Sequence, residues 1–151
     1  MDCLIRNAMN ADASAISRII IGTLRESNAQ DYSSEIIDQV ELSFSPQAIL
    51  DLLTRRQVLV ATSDRHIVAT ASLDRDVVRS VFVDPIYQGR GIGRELMARI
   101  QSIAIKDGIT LLRVPSSITA EGFYASLGFK KIRDEFHESE RTIIMAKPLV
   151  H

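Results

Sequence analysis

The chain has 151 residues, of which 46% are hydrophobic and 25% are charged. This length and balance are typical of one globular domain with a buried core, so we expect a single domain over residues 1–151. A formal net charge of −1 provides no basic field for nucleic acid, which is not expected as a partner. The single cysteine, Cys3, excludes an internal disulfide and a thiol-built metal cluster, and no metal site is predicted.

The N-terminal residues lack the charged and then apolar layout of a signal peptide. No apolar run approaches the roughly 18 residues that a membrane-spanning helix needs. We therefore expect a cytoplasmic protein that has no membrane partner.

The first third of the chain has the apolar spacing of helices. Apolar residues recur three and four positions apart, polar residues that suit helix N-termini precede each run, and proline fits a first helical turn. The predicted elements are a strand over 3–6, a helix from Asn10 or Asp12 through Leu24, a helix from Ser33 or Ser34, and a helix from Ser45-Pro46.

The middle of the chain is rich in β-branched residues. Two short polar breaks of hairpin length, residues 63–66 and 74–76, divide it into three segments. This pattern predicts three consecutive antiparallel strands over 58–62, 67–73 and 77–83.

Helical periodicity returns after Asp84-Pro85. The predicted elements are a helix from Ile92 through Ala104 with Gly108 beyond its end, a strand over 111–114, a helix over 118–127 stopped by Gly128, and strands over 129–133 and 142–146. The whole order predicts an α+β, three-layer fold. Its central sheet is mixed and mainly antiparallel, with about six to seven strands, and helices flank it.

The most informative stretch is a loop of alternating glycines, Gln88-Gly89-Arg90-Gly91-Ile92-Gly93-Arg94. Glycines expose successive amide N–H groups, and the following helix adds unpaired amides and the positive end of its dipole. The loop is therefore predicted to bind an anion, best a diphosphate, with Arg90 and Arg94 adding charge-assisted bonds. Its spacing fits neither a Walker loop nor a dinucleotide fingerprint, in which a glycine would replace Leu96. A plain glycine-rich turn is the alternative.

The stretch from Gln88 to Gly93 resembles the Gln/Arg-x-x-Gly-x-Gly signature of the GNAT superfamily of N-acetyltransferases. Residues 116–129 resemble the second block of that family, an Ala-x-x-Phe-Tyr-x-x-Leu-Gly-Phe helix and turn. The predicted order of elements also resembles the GNAT fold over nearly the whole chain. The resemblance implies an acyltransferase that moves an acetyl group from acetyl-CoA to a primary amine. The alternative of an acyl-cysteine intermediate on Cys3 would need an activating base nearby, and Cys3 stands in the first predicted strand, where a small apolar residue serves equally well. We therefore expect direct attack in a ternary complex.

The resemblance also implies where acetyl-CoA binds. The glycine loop would hold the diphosphate, and the backbone of the preceding strand would hydrogen-bond the pantetheine arm. An amide of that strand near the thioester carbonyl would stabilise the oxyanion. The implied cofactor residues are Val81, Phe82, Val83, Gln88, Gly89, Arg90, Gly91, Ile92, Gly93, Arg94, Thr119 and Phe123.

Tyr124 is the residue to which the resemblance assigns chemistry. A tyrosine hydroxyl with a pKa of about 10 is protonated at neutral pH and can protonate a departing thiolate. We therefore predict Tyr124 as the general acid. The alternative is that its ring only packs the helix.

Two positions depart from the family pattern. Thr119 stands where many members have an asparagine that bonds the pantetheine, and Val77 stands where some members have a glutamate base. Asp74, Asp76, His66 and His137 are candidate bases by residue type alone, so the base is left unassigned. These departures support an alternative function, an acyl-CoA-binding sensor or partner module without efficient transfer.

The acceptor is expected over residues 26–35 and 133–141, which carry an excess of carboxylates compatible with a cationic amine. Tyr32 is the predicted substrate-binding residue, and Phe44 and Phe136 are either core residues or walls of the acceptor pocket. A small molecule and a peptide both remain open as the acceptor. A homodimer is also open, because the apolar strand over 143–145 would pair either across an interface or within the sheet.

Overall fold

The computed structural model describes residues 3–26, 33–137 and 140–150. Short 3-10 turns occur at Asn10–Asp12 and Pro85–Tyr87. The helices and strands, in chain order, are β1 (Cys3–Asn7), α1 (Ala13–Glu26), α2 (Ser34–Ser43), α3 (Pro46–Arg55), β2 (Gln57–Ser63), β3 (His66–Asp74), β4 (Val77–Val83), α4 (Ile92–Lys106), β5 (Leu111–Ser116), α5 (Glu121–Ser126), β6 (Lys130–His137) and β7 (Glu140–Pro148).

The strands of the described residues form one seven-stranded sheet in the order β1-β2-β3-β4-β5-β7-β6. β4 and β5 are parallel, and every other neighbouring pair is antiparallel. The predicted mixed, mainly antiparallel sheet is therefore confirmed. The three hairpin strands of the sequence prediction are β2, β3 and β4.

The β4–β5 pair diverges. Its register contains the single pair Val77–Arg113, and the Arg113 amide donates to the Asp76 carbonyl at 2.9 Å. Beyond this joint β4 stays paired with β3 up to Val83, and β5 stays paired with β7 up to Ser116. The two strands therefore separate towards their C-terminal ends and leave a gap in the middle of the sheet.

A β-bulge lies in β4 beside that gap. Thr70 pairs with Phe82 and Ser72 pairs with Arg79, so β4 has one more residue than β3 over this span. Ser80 accommodates the extra residue with a φ of 56°, in the left-handed region that non-glycine residues seldom adopt. The bulge turns the side chains of β4 relative to those of its neighbour.

Each face of the sheet buries its own apolar cluster. One cluster packs α4 and α5 onto the sheet through residues such as Leu96, Ile100 and Tyr124. The other packs α1 and α3 onto the opposite face through residues such as Ile20 and Ile49. The gap between β4 and β5 is therefore bordered by helices on both sides.

The structure differs from the predicted elements in the C-terminal third. α5 covers Glu121–Ser126 rather than 118–127, because the Ser117 side chain and carbonyl both accept from the Ala120 amide and form a turn ahead of the helix. The last two strands are longer than predicted. β7 lies between β5 and β6, so residues 143–145 complete the sheet within the chain.

Within the part of the chain that the structure describes, no helix is long and apolar enough to cross a membrane.

Candidate active site

A cavity of about 760 Å³ lies at the gap between β4 and β5. Residues from both faces of the sheet line it, so it passes through the sheet where the two strands separate. Its lining consists of Thr23, Leu24, Phe44, Arg56, Val78, Arg79, Ser80, Val81, Phe82, Val83, Tyr87, Gln88, Gly89, Gly91, Ile92, Gly93, Arg94, Val114, Pro115, Ser117, Thr119, Ala120, Phe123 and Tyr124.

Two parts of this lining are distinguished below. The loop end consists of the lining residues of the segment 87–94, together with Thr119 and Phe123 of the α4–α5 side. The arginine end is the set of lining residues on the α1–α3 side, which consists of Thr23, Leu24, Phe44, Arg56, Arg79, Ser80 and Phe82. Tyr124, Val81, Val83 and Val114 also line the cavity and belong to the apolar cluster on the α4–α5 side.

The loop end has the backbone geometry that its glycines predict. Gly89 and Gly91 have φ values of 79° and 83°, in the left-handed region, and Gly91 is the N-cap of α4. The first amides of α4 therefore begin directly at the cavity. They lack helical acceptors and carry the positive end of the helix dipole, so the loop end suits an anion.

Gly93 lies where a side chain would contact neighbouring residues. A Cβ at this position would lie 3.3 Å from the Phe123 ring and 3.6 Å from a Val83 methyl group. The glycine thus lets α4, α5 and β4 approach each other closely at the cavity wall.

The two arginines of the glycine loop have different surroundings. Arg94 lines the cavity, and its Nη2 donates to the Ser126 hydroxyl at 3.2 Å. The Arg90 guanidinium lies over the Tyr87 ring, 5.2 Å from its centroid. Arg90 is the one predicted cofactor residue that does not line the cavity.

Hydrogen bonds tie the loop and α1 to the end of β4. The Val83 carbonyl accepts from Gln88 Nε2 at 3.0 Å and from Thr23 Oγ1 at 3.5 Å. The Asp84 amide donates to the Val68 carbonyl at 2.8 Å, so the strand remains anchored to β3 up to the loop. These contacts hold the glycine loop in a fixed position relative to the gap.

Tyr124 lines the cavity on the α4–α5 side and is 6% exposed. Its ring meets the rings of Phe123 and Phe129 edge to face, with centroid separations of 5.1 and 5.7 Å. Burial raises the pKa of the Tyr124 hydroxyl above its ordinary value, because the phenolate would lose solvation. The hydroxyl is therefore protonated at neutral pH.

None of the four candidate bases lines the cavity. Asp74 and Asp76 are ion-paired to Arg79 at 3.6 Å and to Arg113 at 3.0 Å. His66 and His137 lie at strand ends, in β3 and β6. Among the residues that the structure describes, the cavity lining contains no Asp, Glu or His side chain.

The predicted acceptor residues have mixed outcomes. Tyr32 falls outside the described residues. Phe44 lines the cavity and packs edge to face on Phe82, with ring centroids 6.4 Å apart. Phe136 is 67% exposed on the edge strand β6 and does not line the cavity.

The polar cavity residues Arg56, Arg79 and Ser80 were not predicted from the sequence. Arg56 looks like an ordinary basic residue at a helix C-terminus. Arg79 and Ser80 do carry a signal, because two adjacent polar residues interrupt an otherwise apolar strand, and the β-bulge of β4 lies at this interruption.

Within the described ranges, no three or more His, Cys, Asp and Glu side chains come together as a candidate metal site.

Comparison with known proteins identifies the family. Residues 28–146 match the model of the GNAT acetyltransferase domain, which amounts to more than half of the chain. The chain belongs to the GNAT acetyltransferase family. The family predicted from the glycine loop and the second block is thereby confirmed.

Among curated proteins, an uncharacterised N-acetyltransferase from Chlorobaculum tepidum is 29% identical over 136 residues, which cover 89% of this chain and 80% of the relative. A GCN5-related N-acetyltransferase from Rhodopseudomonas palustris superposes with a TM-score of 0.90 at 24% identity, over 99% of this chain and 97% of that one. The PaiA N-acetyltransferase from Thermoplasma acidophilum, solved with coenzyme A, superposes with a TM-score of 0.86 at 22% identity, over 98% and 99% of the two chains. At these identities the two structures share the fold.

Proposed function

We propose that this protein transfers an acetyl group from acetyl-CoA to a primary amine by direct attack in a ternary complex. The observation that carries the proposal is one continuous cavity, which joins the glycine loop to Tyr124 through the gap between β4 and β5. Family membership supports acetyl transfer in general, and a structural neighbour with coenzyme A supports the class of co-substrate.

In this proposal the loop end binds the co-substrate. The amides from Gln88 to Arg94 would hold the diphosphate, with added charge from Arg94 at the wall and Arg90 beside the loop. Val81, Phe82 and Val83 lie along the gap that would receive the pantetheine arm, and Thr119 and Phe123 wall its other side. Acetyl-CoA would supply the acetyl group as an activated thioester.

Tyr124 would act as the general acid. The amine nitrogen bonds to the acetyl carbon to give a tetrahedral intermediate, and its collapse breaks the carbon–sulfur bond. The Tyr124 hydroxyl gives its proton to the departing sulfur and regains one from water. A β4 amide would donate to the carbonyl oxygen as that oxygen gains negative charge. The proton that the amine loses would pass to water, because the described lining offers no carboxylate or imidazole to accept it.

The direct test is a thiol-release assay with acetyl-CoA and a panel of amines, namely polyamines, aminoglycosides, amino acids and short peptides. A thermal shift with coenzyme A alone is measured beside it. We expect a coenzyme A shift and release with one class of amine. If coenzyme A produces no shift, the assignment of the loop end is wrong.

A second function is favoured by one observation, the lack of a titratable base in the described lining. An acyl-CoA-binding module without efficient transfer would need no base, and Val77 and Thr119 would fit it. Such a module would bind coenzyme A and release no thiol with any amine. The cytoplasmic location and the homodimer remain predictions.

A further inference from the structure

All the charged residues that line the cavity in the described part of the chain are positive. These residues are Arg56, Arg79 and Arg94. Arg94 belongs to the loop end. The other two guanidiniums lie at the arginine end, on the opposite face of the sheet from the glycine loop, so the proposed diphosphate site does not account for them.

The Arg56 guanidinium has N–H groups that the surrounding protein does not fully satisfy. Arg56 follows the last residue of α3, and its own amide donates to the Leu52 carbonyl at 2.9 Å. Its Nη1 donates to the Ser80 hydroxyl at 3.3 Å, on the β4 bulge. Its Nε is buried without a hydrogen-bond partner in the described structure. A buried donor left unpaired is costly, so this nitrogen is suited to an acceptor that a ligand brings.

Arg79 adds a second charge at the same place. Its Nε lies 3.6 Å from an Asp74 oxygen, and both side chains are about two-fifths exposed, so the pair is long and solvated. Burial, and then the neighbouring positive charge of Arg79, lower the pKa of the Arg56 guanidinium. The two arginines therefore form a positive site that the protein only partly neutralises.

The walls beside these arginines are apolar. Leu24, Phe44 and Phe82 belong to the α1–α3 cluster and line the same end of the cavity. An occupant of this end would place an apolar body against the two phenylalanines and a negative group against Arg56 and Arg79. The acid-rich segment 133–141 contributes no described residue to the lining.

We propose that the amine acceptor also carries a carboxylate, which Arg56 and Arg79 bind at the arginine end, as in a free amino acid with an apolar side chain. A planar guanidinium can bond both oxygens of a carboxylate through neighbouring N–H groups. A polyamine would place positive charge against two guanidiniums and bury their charges unpaired. This inference rests on the proposed function.

The test compares acceptors that differ only in the carboxylate. L-leucine and L-phenylalanine are assayed for acetylation beside leucinamide and phenylalaninamide, with spermidine as the cationic probe. Two amidated peptides, one beginning with Asp and one with Ala, distinguish a free amino acid from an acidic N-terminus as the source of the carboxylate. We expect the free acids to be acetylated and their amides to have a KM roughly 10- to 100-fold higher.

Variants then assign the discrimination to the arginines. Arg56→Gln should raise the KM for the acid by roughly 10- to 100-fold, and leave the amide KM and the coenzyme A affinity unchanged. Arg56→Lys should restore part of the affinity for the acid, because lysine keeps the positive charge but lacks the neighbouring N–H groups of a guanidinium. Arg79→Gln is the second variant, and it should also raise the KM for the acid. Arg55→Gln is the matched control, since Arg55 is exposed, ion-paired to Asp51 at 2.7 Å and outside this cavity.

Product binding provides a readout that needs no turnover. With coenzyme A present, N-acetyl-leucine should bind more tightly than N-acetyl-leucinamide, and Arg56→Gln should remove the difference. Release with amides or spermidine only would leave the proposed function standing and overturn this inference. Carboxylate binding that depends on Arg56, without thiol release from any amine, would support the carboxylate site and overturn the proposed function. Equal effects of Arg55→Gln and Arg56→Gln, or a loss of coenzyme A affinity in Arg56→Gln, would also overturn it.

Discussion

The two ends of the cavity both present hydrogen-bond donors, but they take them from different parts of the polypeptide. The loop end offers consecutive backbone amides, held by glycines with φ values of 79° and 83°. The arginine end offers side chains that come from the α3–β2 junction and from the middle of β4. The first is local in sequence, and the second is assembled by the fold.

This difference predicts how each end responds to substitution. Backbone amides persist when a side chain changes, so the loop end fails only when a new side chain strains the turn or blocks the site. A side-chain site loses its donors with one substitution, and the sheet around it stays intact. Acceptor specificity can therefore change at the arginine end while the co-substrate site is kept.

The largest effect is expected at the loop end. Gly91→Glu would force a residue with a side chain to a φ of 83° and would place a carboxylate beside the diphosphate. We expect coenzyme A affinity to fall by at least about 100-fold, measured by calorimetry.

Gly108→Glu is the matched control for this change. Gly108 has a φ of 81° and, like Gly91, would have no neighbouring atom within 4 Å of an added Cβ, but it does not line the cavity. Both variants should lose a similar stability, about 1–2 kcal/mol, and the control should keep its coenzyme A affinity. Equal affinity in the two variants would place the diphosphate elsewhere.

The next effect is expected at Tyr124, on the α4–α5 side of the cavity. Tyr124→Phe removes the proposed acid and keeps the ring that packs on Phe123 and Phe129. We expect kcat to fall by about 100-fold or more, with an unchanged melting temperature and coenzyme A affinity. Tyr87→Phe, which keeps the ring under Arg90, is the control and should retain kcat. An unchanged kcat in Tyr124→Phe would show that another group protonates the departing sulfur.

The pH dependence of kcat/KM tests two assignments: Tyr124 as the general acid, and water as the acceptor of the proton that the amine loses. The acceptor must lose its own proton to water, so kcat/KM should rise about tenfold per pH unit below the pKa of the amine. Burial raises the pKa of Tyr124, so the acid stays protonated and a fall in activity is expected only above about pH 10.

Profiles from pH 6 to 10 (about the range in which amine and tyrosine titrate) are measured with two acceptors whose amine pKa values differ. The rising limb should follow the pKa of the acceptor. A limb that stays fixed for both acceptors would indicate a protein base outside the described lining.

The smallest effect is expected where the loop end meets α5. Gly93→Ala would bring a Cβ to 3.3 Å from Phe123, whose ring packs on Tyr124 at a centroid separation of 5.1 Å. We expect a loss of a few-fold in kcat and of about 1 kcal/mol in stability, measured by steady-state kinetics and urea unfolding.

Gly22→Ala provides the contrast within α1. No atom lies within 4 Å of a Cβ there, so alanine should stabilise the helix by about 0.4–1 kcal/mol and leave kcat unchanged. If Gly93→Ala stabilised the protein as Gly22→Ala is expected to do, the Phe123 ring would be able to move away from the added methyl group at little cost.

Much of the fold could be predicted because its signals are local. The runs of β-branched residues divided by polar breaks gave β2, β3 and β4, and the glycines before Ile92 placed the start of α4. The start of α5 was predicted three residues early, because Ser117 bonds the Ala120 amide in a turn that has no apolar signature. The sequence of residues 143–145 fits a pairing across an interface as well as a pairing within the sheet, since either one satisfies the same strand edges.

The sequence by itself determined the family, the order of the elements and the glycine loop, because each follows from motifs and periodicities within short segments of the chain. Only the tertiary structure determined the gap between β4 and β5 and the arginine end of the cavity. The gap exists because β5 pairs with β7 and meets β4 at the single pair Val77–Arg113. Arg56 reaches Ser80 across 24 residues of sequence. Contacts of that separation leave no local pattern, so the charge of the arginine end becomes visible only once the chain is folded.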